Sequence, residues 1–201
     1  MKLIVITIPE TVKDEAEAIN ALFESGLEYL HLRKPDWTED ETSALLDKVE
    51  SRWLRRIVLH DHYRLIRKYP LRGIHLNGRN PAPESDFPVI SASCHSLNEL
   101  MLKRKRVTGY LFLSPVFDSI SKKGYRSGFS EDELREAGET GCIGADTVAL
   151  GGVTPEKIPF LIQTGFAGVA VLGGLWSAYR DKKDIAPLLE RFETFRQICL
   201  E

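Results

Sequence analysis

Four of the five histidines, His31, His60, His75 and His95, fall at or just past the ends of short apolar runs, with His62 close behind. Imidazole is the side chain that titrates nearest neutrality, so such a set is equipped to move protons. Arg33 and Lys34 follow His31, and Asp61 follows His60. Asn77 and Asn80 follow His75, and Ser93 precedes His95 by two positions. Ser114, Ser119, Ser121, Lys122 and Lys123 lie together in one polar stretch. An arginine at a strand end meets anions, and hydroxyls with a lysine on a long loop suit closure over a phosphate. Two glycine doublets complete the set: Val148-Ala149-Leu150-Gly151-Gly152 and Val169-Ala170-Val171-Leu172-Gly173-Gly174. Glycine lets an oxyanion approach bare backbone N–H groups, here beside the positive end of a following helix. The chemistry implied is acid/base work on a small phosphorylated molecule.

Each position also has a plainer reading. His31 and His75 alternate with apolar neighbours and fit satisfied core histidines. Asp61 fits a helix cap as well as it fits a ligand. Ser119, Ser121 and Lys122 fit a solvated turn. His95 has the strongest case for catalysis, because it opens a helix, where a neutral imidazole is favoured. Ser93, at i, i+2 from His95, shares its face of a strand.

The elements that must carry these residues are strand-like runs alternating with amphipathic stretches. The strands are read at Lys2–Thr7, Tyr29–Arg33, Arg56–His60, Gly73–Leu76, Val89–Ala92, Gly109–Leu113, Thr147–Leu150 and Gly168–Leu172. The helical patterns cover Glu15–Ser25, Asp40–Ser51, Leu97–Lys103, Ser130–Ala137, Pro155–Thr164 and Ile185–Leu200. Thr38 and Ser130 each precede an acid by three positions, the signature of a capping box. Strict β/α alternation implies a parallel sheet with right-handed crossovers, and eight strands favour a single α/β TIM (β/α)8 barrel over residues 1–201. An open doubly wound sheet is the alternative. It lacks support, since Ile8-Pro9-Glu10 stands after the first strand where a dinucleotide-binding G-x-G-x-x-G belongs. The stretches 77–88 and 114–128 read as loops.

Composition narrows the class. The formal net charge is -2, which gives no electrostatic footprint for nucleic acid. The basic run Lys103–Arg106 reads as a solvated helix end. No apolar run approaches the roughly 20 residues of a membrane span, and the first strand has no cleavage pattern of a signal peptide. Cys94, Cys142 and Cys199 are odd in number and scattered, which fits a cytoplasmic protein without disulfides or metal-spaced cysteines. A homodimer is the expected assembly if one forms. Trp53, Trp176 and Tyr179 are interface candidates, although core packing is their commoner role.

The ordered set His31-Leu32-Arg33, His60-Asp61, Gly73-Ile74-His75-Leu76, Ser93-Cys94-His95-Ser96, Ser114-Pro115-Val116-Phe117 through Ser121-Lys122-Lys123-Gly124, Leu150–Thr154 and Gly168–Val171 resembles the thiamin-phosphate synthase family, including its TenI-type thiazole tautomerase branch. The resemblance spans residues 3 to 178. It implies a barrel acting in thiamine biosynthesis on a thiazole phosphate. The synthase branch implies coupling to a pyrimidine diphosphate with Mg²⁺ on the departing diphosphate. Its Q-x-R-x-K pattern falls on His31, Arg33 and Pro35, so the glutamine and lysine are missing, and Lys34 points to the other strand face. Of its two acids, one is kept as Asp61 and the other falls on Asn80. These departures weaken a Mg-diphosphate site. The tautomerase branch implies no metal and a histidine acid/base in the S-x-H-S run, here His95. Tautomerase-type chemistry is therefore the favoured expectation, with synthase second and a non-catalytic binder third. The resemblance puts phosphate on the N–H groups of Gly151, Gly152, Leu172 and Gly173. Gly173 replaces a serine common in the family, a loss of about 1 kcal/mol, the size of one hydrogen bond. Arg33 is expected to meet a carboxylate or second anion, His31 to share in catalysis, and Asp61 to hold any Mg²⁺.

Overall fold

The computed structural model describes residues 1–82, 86–118, 128–180 and 184–200. Eight parallel strands close into a barrel in sequence order, with β1 (Lys2–Ile6) hydrogen-bonded to both β2 (Tyr29–Leu32) and β8 (Gly168–Val171). Between them run β3 (Ile57–Leu59), β4 (Gly73–Leu76), β5 (Val89–Cys94), β6 (Tyr110–Leu113) and β7 (Thr147–Leu150). The outer layer holds α1 (Glu15–Glu24), α2 (Glu39–Leu46), α3 (Leu97–Lys103), α4 (Glu131–Glu139), α5 (Ile158–Gln163), α6 (Gly173–Arg180) and α7 (Ile185–Leu200). A 3-10 turn, Tyr63–Arg67, takes the place of a helix between β3 and β4. This is the TIM-barrel architecture that the alternation implied.

Period-2 alternation sorts the strand residues into two cores. Leu30, Leu32, Ile57, Leu59, Ala92, Cys94, Leu111 and Leu113 face outward and pack under the helices. Ile4, Ile6, Val58, Tyr110, Phe112, Val148 and Ala170 face inward and fill the barrel. A register shift at Ile74/His75 re-aims the β4–β5 pairing, so that His75 stands opposite Ser91.

Both expected capping boxes form, Thr38 with Glu41 and Ser130 with Glu133. The helix read over Asp40–Ser51 ends earlier, at Leu46. The N–H groups of Lys48 and Val49 turn back three residues to Leu45 and Leu46, and Val49 drops into the core. The barrel seam is fastened by Trp176, whose indole N–H donates to the Ile6 carbonyl at 2.9 Å. Trp176 and Tyr179 are core residues, not interface residues. Trp53 is half-buried and stacks on Phe23.

Candidate active site

The strand C-termini surround a cavity of about 430 Å³. On the β7–β8 side its wall is backbone: Gly151, Gly152, Leu172, Gly173 and Gly174. Gly151 and Gly152 have φ of 96° and 63°, in the left-handed region where a side chain is strained. A Cβ on Gly152 would also sit 2.4 Å from the Asp118 carbonyl oxygen. Glycine is thus required by both conformation and space. Leu172 occupies the cap position of α6, its carbonyl accepting from the N–H groups of Leu175 and Trp176 at 3.1 and 3.0 Å. The N–H groups of Gly173 and Gly174 have no acceptor inside the helix, because a helix leaves its first turn of donors unpaired. This wall is built to receive an oxyanion.

Arg33, His60, Asn77 and Arg79 line the facing wall, from the ends of β2, β3 and β4. The Arg33 backbone N–H donates to Thr7 Oγ1 at 2.9 Å, which ties the end of β2 to β1. Burial, and then the like charge of Arg79, lower the pKa of Arg33 from its usual value. Two guanidiniums converging on one half-buried wall make a second place for an anion.

His95 stands exposed between these walls, just before the Ser96 cap of α3. Its Nδ1 lies 2.8 Å from the Ser114 carbonyl oxygen. A carbonyl can only accept, so Nδ1 carries the proton, and in the neutral ring Nε2 keeps its lone pair. Ser93, in the same lining, hydrogen-bonds to His75 Nε2 at 2.8 Å.

His31 is not at the mouth. It is fully buried inside the barrel, because the alternation that sends Leu30 and Leu32 outward sends His31 inward. His31 Nδ1 lies 2.8 Å from His60 Nε2, and its Nε2 lies 2.6 Å from the Tyr110 hydroxyl. His75 stacks on His60, with ring centroids 4.0 Å apart. Burial holds His31 and His60 well below the ordinary histidine range, and it lowers His75 to about 3. All three are neutral rings in a polar plug beneath the cavity.

Asp61 does not cap the Tyr63–Arg67 turn; His62 takes that position with a left-handed φ of 53°. The Asp61 carboxylate instead accepts from Arg79 and Asn80 at Oδ1, both at 3.1 Å, and from the Lys34 backbone N–H at Oδ2, at 3.2 Å. Mg²⁺ prefers several anionic oxygens. Among the described residues the cavity lining has no carboxylate, and both oxygens of Asp61 are already engaged. This donor set does not fit Mg²⁺. Lys34, two residues past the outward Leu32 that ends β2, turns to the outer face, and its Nζ is buried against Glu15 Oε2 at 2.7 Å.

The fold therefore gathers Arg33, Ser93, His95, Gly151, Gly152, Leu172 and Gly173 around one cavity, with His31 below it and Asp61 beside it. Ser119, Ser121 and Lys122 lie outside the described residues. Two participants were missed in the sequence. Arg79 was legible as the cation inside the Asn77–Asn80 turn, and Tyr110 as a polar residue in phase with inward Phe112.

The chain matches the family model described as thiamine monophosphate synthase over residues 3–175. Among curated relatives, thiamine-phosphate synthase of Salmonella typhimurium is 27% identical over 190 residues, covering 89% of this chain and 88% of the relative. The Bacteroides fragilis thiamine-phosphate synthase is 24% identical over 180 residues, covering 81% and 85%. Thiamine phosphate pyrophosphorylase from Bacteroides thetaiotaomicron superposes with a TM-score of 0.89 at 36% identity, covering 99% of this chain and 98% of that one. The Pyrococcus furiosus protein of the same name, at 22% identity and a TM-score of 0.77 over 98% and 94% of the two chains, shares the fold. The two curated relatives carry the synthase name, which shifts weight from the tautomerase expectation to the synthase one. With the barrel, the glycine wall and the family match over residues 3–175 agreeing, this chain belongs to the thiamine monophosphate synthase family.

Proposed function

We propose that this chain is a cytoplasmic thiamin-phosphate synthase, joining a thiazole phosphate to a pyrimidine diphosphate. The observation that carries this reading is the pairing of two anion sites across one cavity. The glycine wall would take the phosphate of one substrate, and Arg33 and Arg79 the diphosphate of the other. The two heterocycles would then meet between them. The thiazole ring nitrogen would attack the methylene carbon of the pyrimidine, forming a C–N bond. The C–O bond to diphosphate breaks, and the leaving group takes the electron pair onto oxygens facing the two arginines. Arg79 supplies the charge that Pro35 removed from the family's pattern. No step is assigned to Mg²⁺, since Asp61 is already paired with Arg79. Three free thiols, Cys94, Cys142 and Cys199, support the reducing compartment. Among the described residues no helix is long and apolar enough to cross a membrane.

The test is to incubate purified protein with both substrates, with and without Mg²⁺, and measure thiamin phosphate and diphosphate release. Formation of both, lost in Arg33→Ala, is the expected result. A second reading, the tautomerase, is favoured by one observation: the bond from His95 to Ser114 leaves Nε2 as a free base at the cavity mouth. Thiazole aromatisation that depends on His95, with no coupling, would establish it instead. Binding of thiazole phosphate with neither reaction would make the protein a carrier.

A further inference from the structure

The buried Tyr110–His31–His60 chain has a direction. Tyr110 is 3% exposed, and its hydroxyl has one hydrogen-bond partner among the described residues, His31 Nε2 at 2.6 Å. If His31 donated to it, the hydroxyl hydrogen would be buried with no acceptor. Leaving a buried donor unmet costs more than a hydrogen bond contributes on average, so the arrangement with Tyr110 donating wins. Nε2 of His31 then holds the lone pair. A neutral His31 carries its proton on Nδ1 and donates it to His60 Nε2, 2.8 Å away. A neutral His60 in turn carries its proton on Nδ1. That atom has no partner among the described residues, and the His60 ring lines the cavity. We propose that Tyr110, acting through His31, fixes His60 as its Nδ1–H tautomer, so that the cavity floor donates a hydrogen bond to an acceptor atom of the ring bound there.

The ligand chemistry selected is a heteroaromatic edge carrying a bare ring nitrogen that takes no part in bond formation, which the pyrimidine offers and the attacking thiazole nitrogen does not. An edge carrying N–H would meet another N–H and be disfavoured. The burial that depresses the His31 and His60 pKa values supports the neutral rings this logic requires. Proton release from His60 onto substrate is not implied, because it would leave a phenolate at Tyr110, whose pKa burial raises. Tyr110 and His31 are therefore positioning residues. A metal held by His31, His60 and His75 is the competing use of these rings, whose ligand atoms lie within 4.8 Å of one another. The geometry disfavours it: the His60 and His75 rings are stacked at 14°, so their in-plane lone pairs do not converge.

The ring that is bound rests on the proposed function, whereas the tautomer can be read in ligand-free protein. Nitrogen-15 NMR of uniformly labelled, ligand-free protein distinguishes protonated from bare ring nitrogens. Protonated Nδ1 and bare Nε2 on both His31 and His60 are expected. In folded Tyr110→Phe, the two His60 nitrogens should shift towards a mixture of tautomers. Pyrimidine diphosphate affinity, by calorimetry, should then fall about fivefold, the scale of one hydrogen bond. A wild-type His60 protonated on Nε2 overturns the proposal whether or not the variant folds. So does an unchanged His60 pattern or unchanged affinity in Tyr110→Phe, or a stoichiometric transition metal in the purified protein. If wild type binds no pyrimidine diphosphate but shows the expected tautomers, the ligand assignment fails and the positioning chain stands.

Discussion

Nη2 of Arg79 lies 3.1 Å from Oδ1 of Asp61, so the carboxylate expected to hold any Mg²⁺ faces a guanidinium instead. The pair joins β3 and β4 at the cavity rim. Asn80 joins it, its amide donating to the same oxygen at 3.1 Å.

If Arg79 faces the diphosphate, Arg79→Ala should weaken binding of inorganic diphosphate by at least tenfold. A hydrogen bond to a charged group is worth about 1.5–3 kcal/mol. Calorimetric titration reads this directly, and wild-type affinity in the variant would remove Arg79 from the site.

Gly152→Ala places a Cβ 2.4 Å from the Asp118 carbonyl oxygen at a φ of 63°. The left-handed backbone alone costs about 1–2 kcal/mol, and the clash must move the 114–118 segment. Loss of phosphate binding is expected. Gly174→Ala is the control, since its Cβ would meet nothing nearer than 3.6 Å and its N–H is kept. Equal phosphate affinities for the two variants would refute the glycine wall.

His95→Ala separates the two chemistries. A synthase should keep measurable coupling without His95, because the step needs no proton transfer. A tautomerase should lose about 10²–10⁴-fold in rate, the usual worth of a positioned acid/base. Measuring both reactions on one preparation decides between them.

Lys34 and Glu15 form an ion pair with both side chains nearly inaccessible, at 1% and 2% exposure. Burial raises the pKa of Glu15 and lowers that of Lys34, so each charge depends on the other. Lys34→Met should cost about 3–5 kcal/mol by stranding a buried carboxylate, and adding Glu15→Leu should recover much of it. Denaturant unfolding of the single and double variants tests this. A double variant less stable than the single one would contradict it.

The histidine plug fixes a pH dependence. The folded pKa values of His31, His60 and His75 lie below the unfolded value of about 6.5. Below that pH the unfolded chain binds protons that the folded core refuses. Stability is therefore full above pH 6.5 and falls as the pH drops towards 3, the level of His75. Each histidine contributes a slope of up to about 1.4 kcal/mol per pH unit. Urea midpoints between pH 7.5 and 5 should fall, and His75→Asn should flatten the decline. An identical slope in the variant would place the acid sensitivity elsewhere.

Local chemistry in the chain determined the strands, the two capping boxes, the glycine turns and the place of His95. Each depends on neighbours a few residues away: alternation, a cap three positions from its acid, a φ that only glycine takes freely. The same locality made Lys34 readable as an outward residue. Tertiary structure decided what lay across the barrel. Whether His31 met substrate or other histidines depended on register with β3 and on closure across the interior to β6, which bring His60 and Tyr110 to it from 29 and 79 residues away. Whether Asp61 stood free for a metal depended on Arg79, 18 residues on and across a turn with no helical pattern. A strand's alternation says which side chains point inward. Only closure of the barrel says what they meet there.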